Sequence, residues 1–191
     1  GDHVVQFHDS GSMYATEYYD NKKTFETANR VTLTLGEDRN GIDANLEAGG
    51  SISGTISGPG GGALDESSSV VVEAFTGEES AEASADVQAD GSYQITGLDS
   101  GAYVVQFSDY NGYYVSEYFD DASTYQGATS VTVEQSQDTD GIDAQLGRAG
   151  SISGTITGPN GDPLADSEDI SIRTYDANGE RVSTSWVDED G

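Results

Sequence analysis

The chain has 191 residues, 35 acidic and 7 basic, giving a net charge of −28, with no cysteine and 34% hydrophobic residues. A surface this acidic repels nucleic acid and anionic membranes, and without cysteine any stability comes from packing, β-ladders or metal ions rather than disulfides. No apolar run approaches the ~20 residues that cross a bilayer, so no membrane insertion is expected within residues 1–191, and no signal-peptide pattern is present. The acidity fits two settings: a protein solvated in very salty water, where ions screen the self-repulsion, or an extracellular protein whose carboxylates bind calcium.

Taken in chain order, "VVQFHDS" at 4–10, "YATEYYD" at 14–20 and "GIDANL" at 41–46 each return one hundred residues later, as "VVQFSDY", "YVSEYFD" and "GIDAQL". The stretch "EAGGSISGTISGP" at 47–59 returns as "GRAGSISGTITGP" at 147–159. About 35 of the 91 overlapping positions are identical, without a gap, which marks an internal repeat. Counted from "SISGT", residues 51–148 are one whole unit, 1–50 the C-terminal half of the preceding unit, and 149–191 the N-terminal half of the next. Each flank alone exposes half a core. Either the chain is a window cut from a longer tandem array, or the tail of one copy and the head of another complete a shared domain by strand addition. That composite lacks only the counterpart of "SYQITGLDS" at 92–100.

Within the whole unit the runs are "SISGTIS" at 51–57, "VVVEAF" at 70–75, "SYQITGL" at 92–98, "AYVVQF" at 102–107, "SVTVE" at 130–134 and "IDAQL" at 142–146. All are short and rich in β-branched or aromatic residues, as strands are. "GPGGG", "ADG", "DSG", "DYNG" and "DTDG" punctuate them as turns. No window carries a helical period, and 120–128 reads as a loop or a single helical turn. About seven strands in 98 residues predict a two-sheet sandwich. Its expected inward set is Ile52, Ile56, Leu64, Val70, Val72, Phe75, Tyr93, Ile95, Leu98, Tyr103, Val105, Phe107, Val131, Val133, Ile142 and Leu146. The connection "GRAG" at 147–150 is too short for a flexible tether. Successive sandwiches are expected nearly end to end, as a rod.

Residues 90–107, "DGSYQITGLDSGAYVVQF", combine a tight Asp90-Gly91 turn, alternating Tyr93 and Ile95, and a Gly97-Leu98 corner before Gly101 and Tyr103. With "SISGTISG" before them and "GPNGDPLA" in the next unit, they resemble the carboxypeptidase regulatory-like domain. That family is a transthyretin-like (prealbumin-like) sandwich related to the collagen-adhesin B-type repeats of bacterial surface proteins. The resemblance implies an all-β fold of tandem transthyretin/Ig-like β-sandwich repeats of about 100 residues, used as spacer, stalk or accessory module. Adhesin repeats often carry an internal Lys–Asn isopeptide bond with the Lys on the first strands. Here the only lysines, Lys22 and Lys23, lie elsewhere, so no such cross-link is expected.

Candidate chemistry is sparse. His3 and His8 align with Tyr103 and Ser108 and sit near no nucleophile pattern, so catalysis is not expected. "DTDGID" sets Asp138, Asp140 and Asp143 around Gly141, and "DRNGID" sets Asp38, Asn40 and Asp43 around Gly41. This spacing matches the first half of a calcium loop, completed by oxygens from Asp20, Asp120 or Asp121; it equally suits a hairpin turn with solvated carboxylates. The aromatic clusters at Tyr110, Tyr113, Tyr114, Tyr118 and Phe119, and at Met13, Tyr14, Tyr18 and Tyr19, can cover a sandwich end, form a lateral contact or stack on sugars. The expected function is a structural extracellular or cell-surface rod, stalk, filament or adhesin shaft. Its partners are neighbouring copies, head-to-tail or lateral, and surface glycans. The alternative is a non-catalytic, carbohydrate-binding-like accessory module of a secreted enzyme.

Overall fold

The structure is a computed structural model, and its described residues are 1–11, 13–78, 80–162, 164 and 170–187. The chain forms two compact units, Gly1–Ala149 and Gly150–Gly191. The first unit opens with four short strands, β1 (Asp2–Val4), β2 (Gln6–Phe7), β3 (Glu17–Tyr18) and β4 (Arg30–Thr32). A complete set follows: β5 (Gly50–Ser57), β6 (Val70–Phe75), β7 (Ala83–Asp86), β8 (Ser92–Leu98), β9 (Gly101–Asp109), β10 (Glu117–Tyr118), β11 (Val131–Val133), β12 (Asp138–Thr139) and β13 (Ala144–Gln145). The second unit contains the hairpin β14 (Ser171–Tyr175) and β15 (Arg181–Trp186).

The complete set is an all-β sandwich. In one sheet β8 runs antiparallel to β5, and β12 and β13 run parallel to it. In the other, β6 lies between β7 and β9, and β9 pairs with β10 near its end and β11 near its start. Strand periodicity decides what is inside. On β5, Ile52 and Ile56 are buried while Ser51, Ser53 and Thr55 take the opposite face; on β9, Tyr103, Val105 and Phe107 are buried. Each fully buried side chain of this kind contributes roughly 1.5–3 kcal/mol.

Two members of the expected core differ. On β6 the buried positions are Val70, Val72 and Ala74, so Phe75, one residue out of phase, faces the other way and is half-buried. Leu64, on the loop before β6, packs against the core but is only partly buried. The segment 120–128 contains one 3-10 turn, Tyr125–Gly127, with Thr124 Oγ1 accepting the Gly127 N–H at 3.3 Å. The glycine within "SISGT" has a steric cause. A Cβ on Gly54 would lie 2.2 Å from the Ile142 carbonyl oxygen, where the chain from β12 to β13 crosses β5.

The hundred-residue period persists in three dimensions. His3 faces Val31 as Tyr103 faces Val131, and Phe7 faces Glu17 as Phe107 faces Glu117. In the second unit Ile172 faces Ser185 as Val72 faces Ala85.

Asp109, at the end of β9, organises the following turn. Its buried carboxylate accepts N–H bonds from Ser69 (2.8 Å), Asn111 (3.1 Å), Tyr113 (2.7 Å) and Tyr114 (3.1 Å). Asp9 repeats this with Gly11, Met13 and Tyr14. Burial alone would raise the Asp109 pKa; the four N–H donors outweigh it and hold the group below the ordinary carboxylate range. A lowered acid pKa stabilises the fold above the unfolded value, and that contribution is lost as pH falls through the folded one. Asp109→Asn is therefore expected to cost about 1–3 kcal/mol at pH 7 in denaturant titrations. The gap from wild type should close as pH drops below about 4, the ordinary carboxylate value.

Candidate functional site at the repeat junction

The residues joining the half repeat to the complete one are held on both sides. Ala15 donates its N–H to the Glu47 carbonyl at 3.0 Å, and Gly49 donates to the Met13 carbonyl at 3.1 Å, so the linker is a short strand added to the half repeat. From the complete repeat, Gln135 Nε2 (3.2 Å) and Ser136 Oγ (3.1 Å) both donate to the Ala48 carbonyl, and Ser51 donates its N–H to Gln137 at 2.9 Å. Gly49 lies directly on the Gly97 corner: a Cβ there would be 2.4 Å from Gly97 Cα. The first of these contacts recurs one period on. Val115 donates to the Gly147 carbonyl and Ala149 donates to the Tyr113 carbonyl, both at 2.9 Å.

Beside this linker is a cleft of about 360 Å³ whose walls come from both repeats, with Gln6, His8, Tyr14, Tyr18 and Lys23 on one side and Glu82, Thr96, Asp99 and Tyr103 on the other. Lys23 Nζ stands 3.7 Å from Asp99 Oδ1, an ion pair longer than a hydrogen bond, and that buried oxygen has no hydrogen-bond donor. Burial raises the Asp99 pKa; Lys23 opposes the rise and Glu82 adds to it. Burial, with help from Asp99 and Glu82, pushes the Tyr103 hydroxyl to about 12, and that hydroxyl donates to the Asp99 carbonyl at 3.0 Å. His8 Nδ1 lies 3.0 Å from Thr16 Oγ1, while His3 is an exposed residue of β1.

The aspartates of "DTDGID" serve β5. Asp138 accepts the Ser51 and Ser53 hydroxyls at 2.7 and 2.9 Å, bonds that lower its pKa. Asp143 accepts both the N–H and the hydroxyl of Thr55, at 2.7 and 2.9 Å. Asp140 is exposed. Asp143, Asp120 and Asp121 line an open groove of about 310 Å³, and Asp120 accepts the Thr129 hydroxyl as Asp20 accepts the Asn29 amide. In the earlier copy Asp38, Asn40 and Asp43 are exposed and lie outside any strand. Among the described residues no three His, Cys, Asp or Glu side chains converge as a metal site.

The aromatic clusters divide. Tyr114 is buried and its hydroxyl accepts the Asp65 N–H at 2.9 Å, and Phe119 packs on the core. Tyr110 and Tyr113 are exposed, as are Met13 and Tyr14 in the half repeat. Sequence reasoning missed Asp109, Asp99, Lys23 and the hydroxyls of "SISGT". The usable signal was the recurrence of Asp9 at 109, of Asp38 and Asp43 at 138 and 143, and of three hydroxyl residues on one face of a strand.

No family model matches the chain, and no curated protein matches it. Among solved structures it is similar to GBS52, the minor pilin of Streptococcus agalactiae, at 14% identity and a TM-score of 0.36, over 74% of this chain and 62% of that one. It is also similar to the Bacillus anthracis TIE protein, at 15% identity and a TM-score of 0.38, over 100% of this chain and 33% of that one. The chain thus spans less than two thirds of either.

Gly49→Ala is expected to lower the melting temperature and raise the radius of gyration in X-ray scattering, because the new methyl collides with the Gly97 backbone. Gly147→Ala, with nothing within 4 Å, should change neither. Because the folded-state pKa of Asp99 is raised, its ionised form disfavours the junction at neutral pH, and the penalty fades as pH falls through the raised value. Asp99→Asn should therefore raise the melting temperature at pH 7, by an amount that shrinks on acidification.

Proposed function

We propose that the chain is a length of extracellular or cell-surface shaft, built from tandem sandwiches of the carboxypeptidase regulatory-like kind, and that its role is mechanical rather than catalytic. One observation carries the reading: the linker at 47–50 is hydrogen-bonded to the repeats before and after it, with the Gly49 and Gly97 backbones in contact. A linker held in this way fixes the angle between sandwiches and passes tension through backbone bonds. The acid surface keeps such a rod soluble and resists side-by-side collapse. The hundred-residue repetition supplies length without new chemistry.

The junction cleft favours a second reading, a carbohydrate-binding accessory module. Tyr14 and Tyr18 stand there beside Gln6, His8 and Asp99, the mixture of ring faces and planar polar groups that sugars take. Electron micrographs of the native particle separate the two. Fibres and no retention on glycan arrays support the shaft; compact particles that bind glycans replace it.

The charge makes a further prediction. If the carboxylates are adapted to salt, melting temperature climbs with sodium or potassium chloride into the molar range and is indifferent to micromolar calcium. If the groove of Asp120, Asp121 and Asp143 holds calcium, micromolar calcium raises it at fixed salt and a chelator reverses the gain.

A further inference from the structure

The two ends of the chain hold the two halves of one sandwich. Residues 1–46 reproduce the pairings of β9 with β10 and β11, and the hairpin β14–β15 reproduces β6–β7, in unchanged register. In the complete repeat these halves meet along two seams. β6 lies on β9, with Val72 opposite Phe107 and Ala74 opposite Val105. β5 takes up β12 and β13, with Asp138 opposite Ser51 and Gln145 opposite Ser57.

Among the described residues neither seam is formed at the chain ends. Residues 38–46 and 151–156 belong to no strand. Ile152 is 88% exposed and Ile172 40%, where Ile52 and Val72 are 0% exposed. Phe7 is half-buried where Phe107 is fully buried. The groups that close the second seam are all present. Ser151, Ser153 and Thr155 stand for the three hydroxyl residues of β5, and Asp38 and Asp43 for their two acceptors. Gly154 keeps the crossing open as Gly54 does.

We propose that strand 151–157 and the β14–β15 hairpin of one copy close onto residues 1–46 of a second copy, rebuilding the sandwich between chains. The register follows from the complete repeat: Ile172 opposite Phe7, Thr157 opposite Asn45, and Asp38 accepting the Ser151 and Ser153 hydroxyls. The occupant of each exposed face is therefore a second copy of this chain. β8 is the strand with no counterpart in either half, so the rebuilt sheet keeps an open edge beside strand 151–157. Each copy carries a charge of −28, so the association strengthens with salt. The inference rests on reading the chain as a tandem structural protein and adds how copies join.

The test uses the absence of native cysteine. Asn45→Cys with Thr157→Cys places two thiols on neighbouring strands, at a Cα separation of about 5 Å that suits a disulfide. Mild oxidation in molar salt should give a ladder of multimers that reductant abolishes, and Asn45→Cys with Ser153→Cys, out of register, at least tenfold less. Sedimentation of the unsubstituted chain should show mass rising with concentration. Monomers only, or a disulfide closed within one chain, overturns the proposal. Micrographs of the native particle test the shaft independently, so a failed cross-link beside intact fibres removes only this mode of joining.

Discussion

The carbonyl of Ala48 and the amide of Gly49 are the groups on which the arrangement of the first unit turns. The carbonyl accepts from Gln135 and Ser136 of the repeat that follows; the amide donates to Met13 of the repeat that precedes. Ordering a residue's backbone costs roughly 1–2 kcal/mol, and a free four-residue tether would keep that entropy. Here the tether becomes a strand, and its polar groups find partners that a loop would have sought in water. The contact of Gly49 with Gly97 brings the sandwich corner against the linker itself, a distance that any side chain would forbid.

A second constraint acts inside each repeat. β5 is central to its sheet and carries only Ile52 and Ile56 toward the core; its other face is Ser51, Ser53 and Thr55. In a chain rich in carboxylates, hydroxyls facing Asp138 and Asp143 turn abundant acid into acceptors that pin the parallel strands in register. The same chemistry at the end of β9 lets Asp109 gather four backbone N–H groups. Part of the acidity is thus structural, and the remainder faces solvent.

Much of this was legible before any coordinates. The repeat, the sandwich and nearly all of its core follow from alternation and turn residues. Phe75 was misread because size was weighed above phase: Val70 and Val72 fix the inward parity, and Ala74 obeys it. Strand β7, "ASAD", escaped because alanine and serine carry no strong alternation. The partners of Asp138 and Asp143 lie 85 to 88 residues away in sequence, so local spacing showed an acidic turn and nothing of the hydroxyls it meets. The junction cleft was illegible for the same reason. Lys23 and Asp99 belong to different repeats, and Lys23 has Ser123 as its counterpart.

The most direct test of a fixed linker is the distribution of distances across it. Spin labels on cysteines introduced at exposed Glu26 and Glu66, one in each repeat of the first unit, report that distribution by pulsed electron resonance. A held junction gives one narrow peak that broadens in Gly49→Ala. A broad or multimodal distribution in the unaltered linker would mean that the repeats swing freely, and would contradict the account.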